Sequence, residues 1–272
     1  MRLFLVRHAE CGHNVGYATY VVKPGNLTEL GREQALRLAQ YFRDQSVRFT
    51  RVFSSDLERA TETARAICRY QLGSGPALEP FRTAKLREQC SGCGPVFGET
   101  IHVESTSSMR ARANGFIRDH ILPEMASYSK GRDVNFAIVG HRVILPVLWA
   151  CLTEMFESQS FHLSRSAASR GNHYTHPSWS NTGVMEVDIR PGDPPQDMLV
   201  ENTIYPNVEP PWLRRPGRRQ SCGGSDVWMG WSVTVLTVDD TTHLNRRLLG
   251  TTVPPVLFET KSTKKRRIDA VG

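Results

Sequence analysis

The opening residues constrain this chain more than any other stretch. Leu3, Phe4, Leu5 and Val6 form an uninterrupted apolar run, and Arg7 and His8 follow it directly. A run this short and β-prone predicts a strand buried on both faces, the central kind in a parallel sheet. In open α/β sheets, ligands bind at the C-terminal edge of such strands, where Arg7 and His8 fall. Both side chains need polar partners, so the pair points to a site and not to packing. Imidazole can take a phosphoryl group on a ring nitrogen and split one displacement into two. A guanidinium beside it offers a planar fork of donors to phosphate oxygens.

The 272 residues suffice for one large domain, or for one domain with an appendage. With 39% hydrophobic and 22% charged residues the composition is that of a globular protein. No apolar run approaches the roughly 18–20 residues of a membrane helix. A cleavable signal is not expected, because cleavage behind the apolar run would remove His8. The net charge of +7 is spread along the chain, which suits an anionic substrate as readily as nucleic acid. Of the six cysteines, Cys90 and Cys93 form a lone C-x-x-C with no second pair at zinc spacing. A reducing intracellular compartment is expected.

Later segments supply elements and partners. Thr28 is an N-cap or turn residue before a helix in which Ala35, Leu38, Ala39 and Phe42 recur at helical spacing. Arg51–Ser54 reads as the second strand, with Ser55 and Asp56 capping a helix through Leu57, Ala60, Thr63, Ala64 and Ile67. Arg59 lies in the first turn of that helix, where anions are favoured. A loop with a short strand runs from Pro76 to Arg87, and Met109–Tyr128 reads as a helix. Val134–Val139 is the next strand, leading to Gly140, His141 and Arg142, and a helix follows over Leu145–Leu152. Phe156–Trp179 is polar and irregular. It reads as a solvated loop or as a cover that brings Arg165, Arg170, His173 and His176 near a substrate.

Together these segments resemble the histidine phosphatase (phosphoglycerate mutase-like) superfamily. Arg7-His8-Ala9-Glu10 resembles its Arg-His-Gly-Glu signature, and Asn14 falls where the family often carries a phosphate-contacting Asn. Leu27–Ala35 resembles its Leu-Thr-x-x-Gly-x-x-Gln-Ala stretch, and Phe53–Ala64 its second motif, which includes Arg59. Glu88 matches the family's proton-transferring carboxylate, followed by Gly92, and His141 its second histidine. Gly98–Thr100 with Arg110 and Arg112 is similar to a later family segment, and Asn181–Val187 to its closing strand. Gly140 and Arg142 depart from the usual Ser-His-Gly. Gln89 and Ser91 stand where mutases carry an Arg and a Tyr for a second phosphate, which favours the phosphatase branch.

The resemblance covers about residues 1–190 and implies a three-layer α/β/α sandwich with a mostly parallel central sheet, plus a C-terminal extension. It implies a phosphatase that hydrolyses a small phosphomonoester through a phosphohistidine, without metal or cofactor. His8 and Glu88 would be catalytic. Arg7, Asn14, Arg59 and His141 would bind the substrate. A phosphoglycerate mutase is an alternative reading. A catalytically weak binding module, serving a protein or nucleic-acid complex, is another. Residues 191–272 read as a Pro/Arg-rich linker and extension, with Arg214, Arg215, Arg218 and Arg219 as a basic cluster. Val227–Val238 alternates as one or two strands, which either return to the sheet or pack as an appendage. Lys264–Arg267 reads as a solvated tail or a nuclear address. The expected location is cytoplasmic, or nuclear if that address is read. A nucleic-acid or protein partner would bind through this basic extension. No membrane association is expected.

Overall fold

A computed structural model of the chain describes residues 1–12, 25–71, 77–90, 103–129, 132–168, 177–192 and 228–245. The elements run β1 (Arg2–Arg7), α1 (Glu29–Asp44), β2 (Arg51–Ser55), α2 (Glu58–Arg69), β3 (Phe81–Thr83) and α3 (Thr106–Phe116). A π-helical turn (Ile117–Ile121) carries α3 into α4 (Leu122–Ala126). Then come β4 (Asn135–Gly140), α5 (Ile144–Thr153), β5 (Phe161–Leu163), α6 (Arg165–Ala168), β6 (Val184–Pro191), β7 (Trp231–Asp240) and α7 (Thr242–Asn245). Among the described residues, no helix is long and apolar enough to cross a membrane.

The strands form a seven-stranded sheet in the order β3-β2-β4-β1-β6-β7-β5. β6 alone runs against the rest, pairing antiparallel with β1 and with β7. Alternate residues of the apolar run go to opposite faces, as a strand's two-residue period requires. Leu3 and Leu5 join Phe53, Phe116, Phe136 and Ile138 in the core under α3, α4 and α5. Phe4 and Val6 join Leu38, Phe42, Ala60 and Ile67 under α1 and α2. Phe4, Phe42 and Phe49 meet edge to face, with ring centroids 4.9–5.5 Å apart, a favoured aromatic arrangement. Helices thus cover both faces, and this is the α/β/α architecture expected.

Several local expectations need correction. Asp56 does not cap α2. The N-cap is Leu57, and the Ser55 hydroxyl accepts from the Leu57 N–H instead. The irregular stretch after Phe156 contains β5 at the sheet edge, which pairs with β7. Three residues are too few to show a two-residue period. Of the two placements open for Val227–Val238, the structure has the return to the sheet. β7 fills the place between β6 and β5, with Val233 and Val235 fully buried. A division at residue 190 therefore falls inside β6, one residue before its end, and parts β7 from the sheet it belongs to.

Candidate active site

β1 ends at Arg7, and His8 stands just beyond it at the C-terminal edge of the sheet, 4% exposed. Its backbone N–H donates to the Gly140 carbonyl at 3.0 Å. The imidazole is oriented from both sides. Nδ1 lies 2.7 Å from the Ala9 carbonyl, and the Arg59 Nε–H donates to Nε2 at 3.2 Å. A carbonyl only accepts and a guanidinium only donates. The proton therefore sits on Nδ1, and Nε2 carries the lone pair, facing Arg59. Arg59 reaches it from the first turn of α2.

His141 faces His8 at the end of β4, with ring centroids 5.0 Å apart. It is fully buried, and neither ring nitrogen has a hydrogen-bond partner among the described residues. Burial, then the nearby His8, Arg59 and Arg7, push its pKa down to about 2. The protein alone thus holds this imidazole neutral, and an anion bound between the rings would reverse that repulsion. Arg7 donates from Nη1 to the Trp179 carbonyl at 2.9 Å, while its Nε is buried without a partner among the described residues. Burial and then Arg142 lower the Arg7 pKa, and burial lowers that of Arg59. Glu88 opposes both shifts. Arginine stays charged through such shifts, so a compact cationic site surrounds the Nε2 lone pair.

Glu88 follows the 3₁₀ turn at Ala84–Leu86. Its Oε1 accepts from the Gln89 and Val143 N–H groups, each at 3.1 Å, and so ties the segment to the start of α5 beside His141. Arg87 is held by both oxygens of Asp56 at 2.7 and 2.6 Å, which is the role Asp56 has in place of capping. Arg112 braces the same segment from α3. It grips Glu104 through two bonds of 2.8 Å and donates to the Lys85 and Arg87 carbonyls at 2.9 and 3.0 Å. Gln89 in turn donates to the Glu104 carbonyl at 2.8 Å.

The Leu27–Ala35 stretch has a physical role that sequence reasoning missed. The Thr28 hydroxyl accepts from the Gly31 N–H as the N-cap of α1 and donates to the Glu10 carboxylate at 2.8 Å. Gln34 accepts from the Glu10 N–H at 2.9 Å. A Cβ on Gly31 would lie 1.9 Å from the Glu10 carbonyl oxygen, so only glycine lets the helix approach this closely. The stretch is the cradle of the loop that carries His8. Thr63 adds to it, accepting from the Ala9 N–H at 3.0 Å. Gly140 is less constrained, because a Cβ there would meet only the end of the Leu145 side chain at 3.0 Å.

The structure thus brings Arg7, His8, Arg59, Glu88 and His141 to one edge of the sheet. Asn14 lies outside the described residues, as do Gly92, Cys93, Gly98–Thr100, Arg170, His173, His176, the basic cluster at Arg214–Arg219 and Lys264–Arg267. Among the described residues, no group of three or more His, Cys, Asp or Glu side chains stands close enough to hold a metal ion.

A mostly parallel sheet with a caged histidine beyond its first strand defines a class, and comparison with known proteins agrees with it. Residues 3–95 match the family model of the histidine phosphatase superfamily (branch 1). The match takes in Arg7, His8, Arg59 and Glu88. A broad-specificity phosphatase of Saccharomyces cerevisiae, YOR283W, is 34% identical over 92 residues, which are 34% of this chain and 39% of the yeast protein. Two solved structures share the fold, described as mycobacterial hydrolase 1 and mycobacterial hydrolase 2. The first is 19% identical at a TM-score of 0.50 and covers 70% of this chain and 90% of its own. The second is 18% identical at 0.50, covering 73% and 86%.

Proposed function

We propose that the chain hydrolyses a phosphomonoester without metal, through a phosphohistidine on His8. The observation that carries this reading is the state of the His8 ring. The Ala9 carbonyl holds the proton on Nδ1, which leaves Nε2 unprotonated, its lone pair accepting from the Arg59 Nε–H until a phosphoryl group takes that place and Arg59 turns to a phosphate oxygen. Nε2 attacks phosphorus as the ester oxygen departs. Arg7, Arg59 and His141 take the developing charge on the equatorial oxygens, which is where phosphoryl transfer needs stabilisation. Glu88 gives the leaving oxygen its proton and then takes one from the water that attacks the phosphohistidine, so the acid of the first step is the base of the second. His141, neutral in the protein alone, can take up charge or donate a hydrogen bond when the dianion arrives. The 34% identity to a yeast phosphatase over 92 residues supports the phosphatase branch. So does Gln89, whose side chain is engaged with Glu104 at the place where a mutase holds a second phosphate.

The test is phosphate release from a panel of phosphomonoesters by the full chain and by His8→Ala. The proposal expects turnover by the first alone, and acid-labile, base-stable phosphate trapped on His8. Turnover by His8→Ala near that of the unaltered chain would overturn the mechanism. Strict dependence on a bisphosphate primer would indicate a mutase.

A further inference from the structure

The turn between Trp179 and Gly183 frames both Arg7 and His8. Trp179 accepts from the Arg7 guanidinium at 2.9 Å, and its own indole N–H donates to the Leu5 carbonyl at 3.1 Å. The Thr182 N–H donates to the Arg7 carbonyl at 3.1 Å, and the Arg7 N–H donates to the Gly183 carbonyl at 3.3 Å. Asn181 donates from its side chain to the His8 carbonyl at 3.0 Å. A turn that makes these bonds sets where the nucleophile and its neighbouring cation stand.

What holds the turn comes from the far end of β7. β6 runs antiparallel to both β1 and β7, so the start of β6, the end of β1 and the end of β7 lie at the same sheet edge. Asp239 there has a positive φ of 47°, a conformation that Asp and Asn tolerate better than most residues. Its carboxylate accepts from the Ser180 N–H at 2.7 Å through Oδ1 and from the Ser180 hydroxyl at 2.9 Å through Oδ2. Gly183 leaves it room, because a Cβ at that position would lie 1.9 Å from Asp239 Oδ1. A second bond runs from the same side: the Thr182 hydroxyl and His243 Nε2 of α7 are 2.9 Å apart, both buried.

We infer that Asp239 is a positioning residue for the reaction, a clamp on the Ser180–Gly183 turn that keeps Arg7 and His8 in register with the phosphoryl group. The inference rests on the phosphatase reading and gives the segment after residue 190 a part in it. Asp239 acts through the turn, and its charge reaches Arg7 as well. Misplacing a reacting group by about 1 Å can cost on the order of 10²-fold in rate.

The test uses the full chain with three substitutions. Asp239→Gly removes the carboxylate without straining a positive φ. Asp239→Asn keeps an acceptor for the Ser180 N–H and a donor for its hydroxyl. Gly183→Ala expels the carboxylate from the other side. Each is measured for kcat and KM on an aryl phosphate, for inorganic phosphate affinity by calorimetry, and for fold by circular dichroism at the assay temperature. The expected result is a kcat about 10- to 100-fold lower and a several-fold weaker phosphate affinity for Asp239→Gly and Gly183→Ala, with Asp239→Asn restored to within about threefold. A structural role alone would lower the melting temperature and leave kcat per folded molecule unchanged. The inference is overturned if folded Asp239→Gly and Gly183→Ala both keep kcat and phosphate affinity within about twofold, or if Asp239→Asn is as impaired as Asp239→Gly. If Asp239→Gly does not fold, Ser180→Ala, which drops only the bond to Oδ2, decides by the same kcat criterion. An unaltered chain that binds phosphate but hydrolyses no ester would sink the phosphatase reading. The affinity measurements would still decide the role of Asp239.

Discussion

Replacing Glu88 by glutamine is expected to slow hydrolysis by roughly 10²–10⁴-fold, the usual worth of a placed general acid–base group. That is about 3–5 kcal/mol of barrier at 1.36 kcal/mol per tenfold. The geometry argues that this loss is chemical and not structural. Glu88 Oε1 takes the two shorter bonds, at 3.1 Å each from the Gln89 and Val143 N–H groups, and Oε2 only a longer one of 3.4 Å from the same Val143 N–H. A glutamine carbonyl can accept both in the same place, so stability should move by about 1 kcal/mol or less. What disappears is an oxygen that can carry a proton. The defect should therefore follow the leaving group. An alkyl phosphate expels a basic alkoxide and needs that proton, so its kcat should fall toward the upper end of the range. A nitrophenyl phosphate expels a stabilised phenolate and should fall much less. Parallel steady-state assays on the two esters, with inorganic phosphate inhibition as a control for binding, make the comparison. Equal losses on both esters would refute proton donation by Glu88 and leave it a support of the loop. Glu10 and Asp56 are poor heirs to the role, since Thr28 engages the first and Arg87 the second.

Arg112→Ala should destabilise the fold by about 1–3 kcal/mol, for the charged hydrogen bonds lost to Glu104 and to the 85–87 carbonyls, and should lower kcat through the displaced Glu88. Arg112 holds the Glu104 pKa below its ordinary value, so the stabilising pair is complete above that value. The stability gap between the unaltered chain and Arg112→Ala, read by denaturant melts, should be full at pH 7 and close as pH falls through the lowered pKa; a gap that widens in acid would contradict the pairing. A chain truncated after Arg190 should be insoluble or unfolded by circular dichroism. Removing the buried Val233, Val235 and Val238 alone forfeits about 5–9 kcal/mol at about 1.5–3 kcal/mol each, comparable with a typical domain's whole stability. Activity should survive EDTA, because Arg7, Arg59 and His141 can supply the positive charge; loss on chelation with recovery on added Mg²⁺ or Zn²⁺ would show the mechanism misread.

The sequence by itself determined the central strand and the local part of the candidate site. Leu3–Val6 is too short and too apolar for anything but a doubly buried strand, and the residues after it are local: Arg7 and His8 are adjacent, and Arg59 sits one turn into a helix. Thr28 was legible as a cap because capping reaches only three residues along the chain, to Gly31. Tertiary structure decided what depends on distant partners. Whether Asp56 caps a helix or holds Arg87 is settled by a residue 31 positions away, and the identity of Asp56 is compatible with both. The state of the His8 ring depends on Arg59, 51 residues on. The Leu27–Ala35 stretch read as an ordinary helix start until the fold brought Glu10 against Gly31. The strand at Trp231–Asp240 lies beyond a long proline-rich stretch, and its alternation fits an appendage as well as a sheet. Its place between β6 and β5 comes from which edges are left unpaired once the other strands assemble. A one-dimensional pattern does not carry that information, because backbone pairing is indifferent to side-chain identity at a given register.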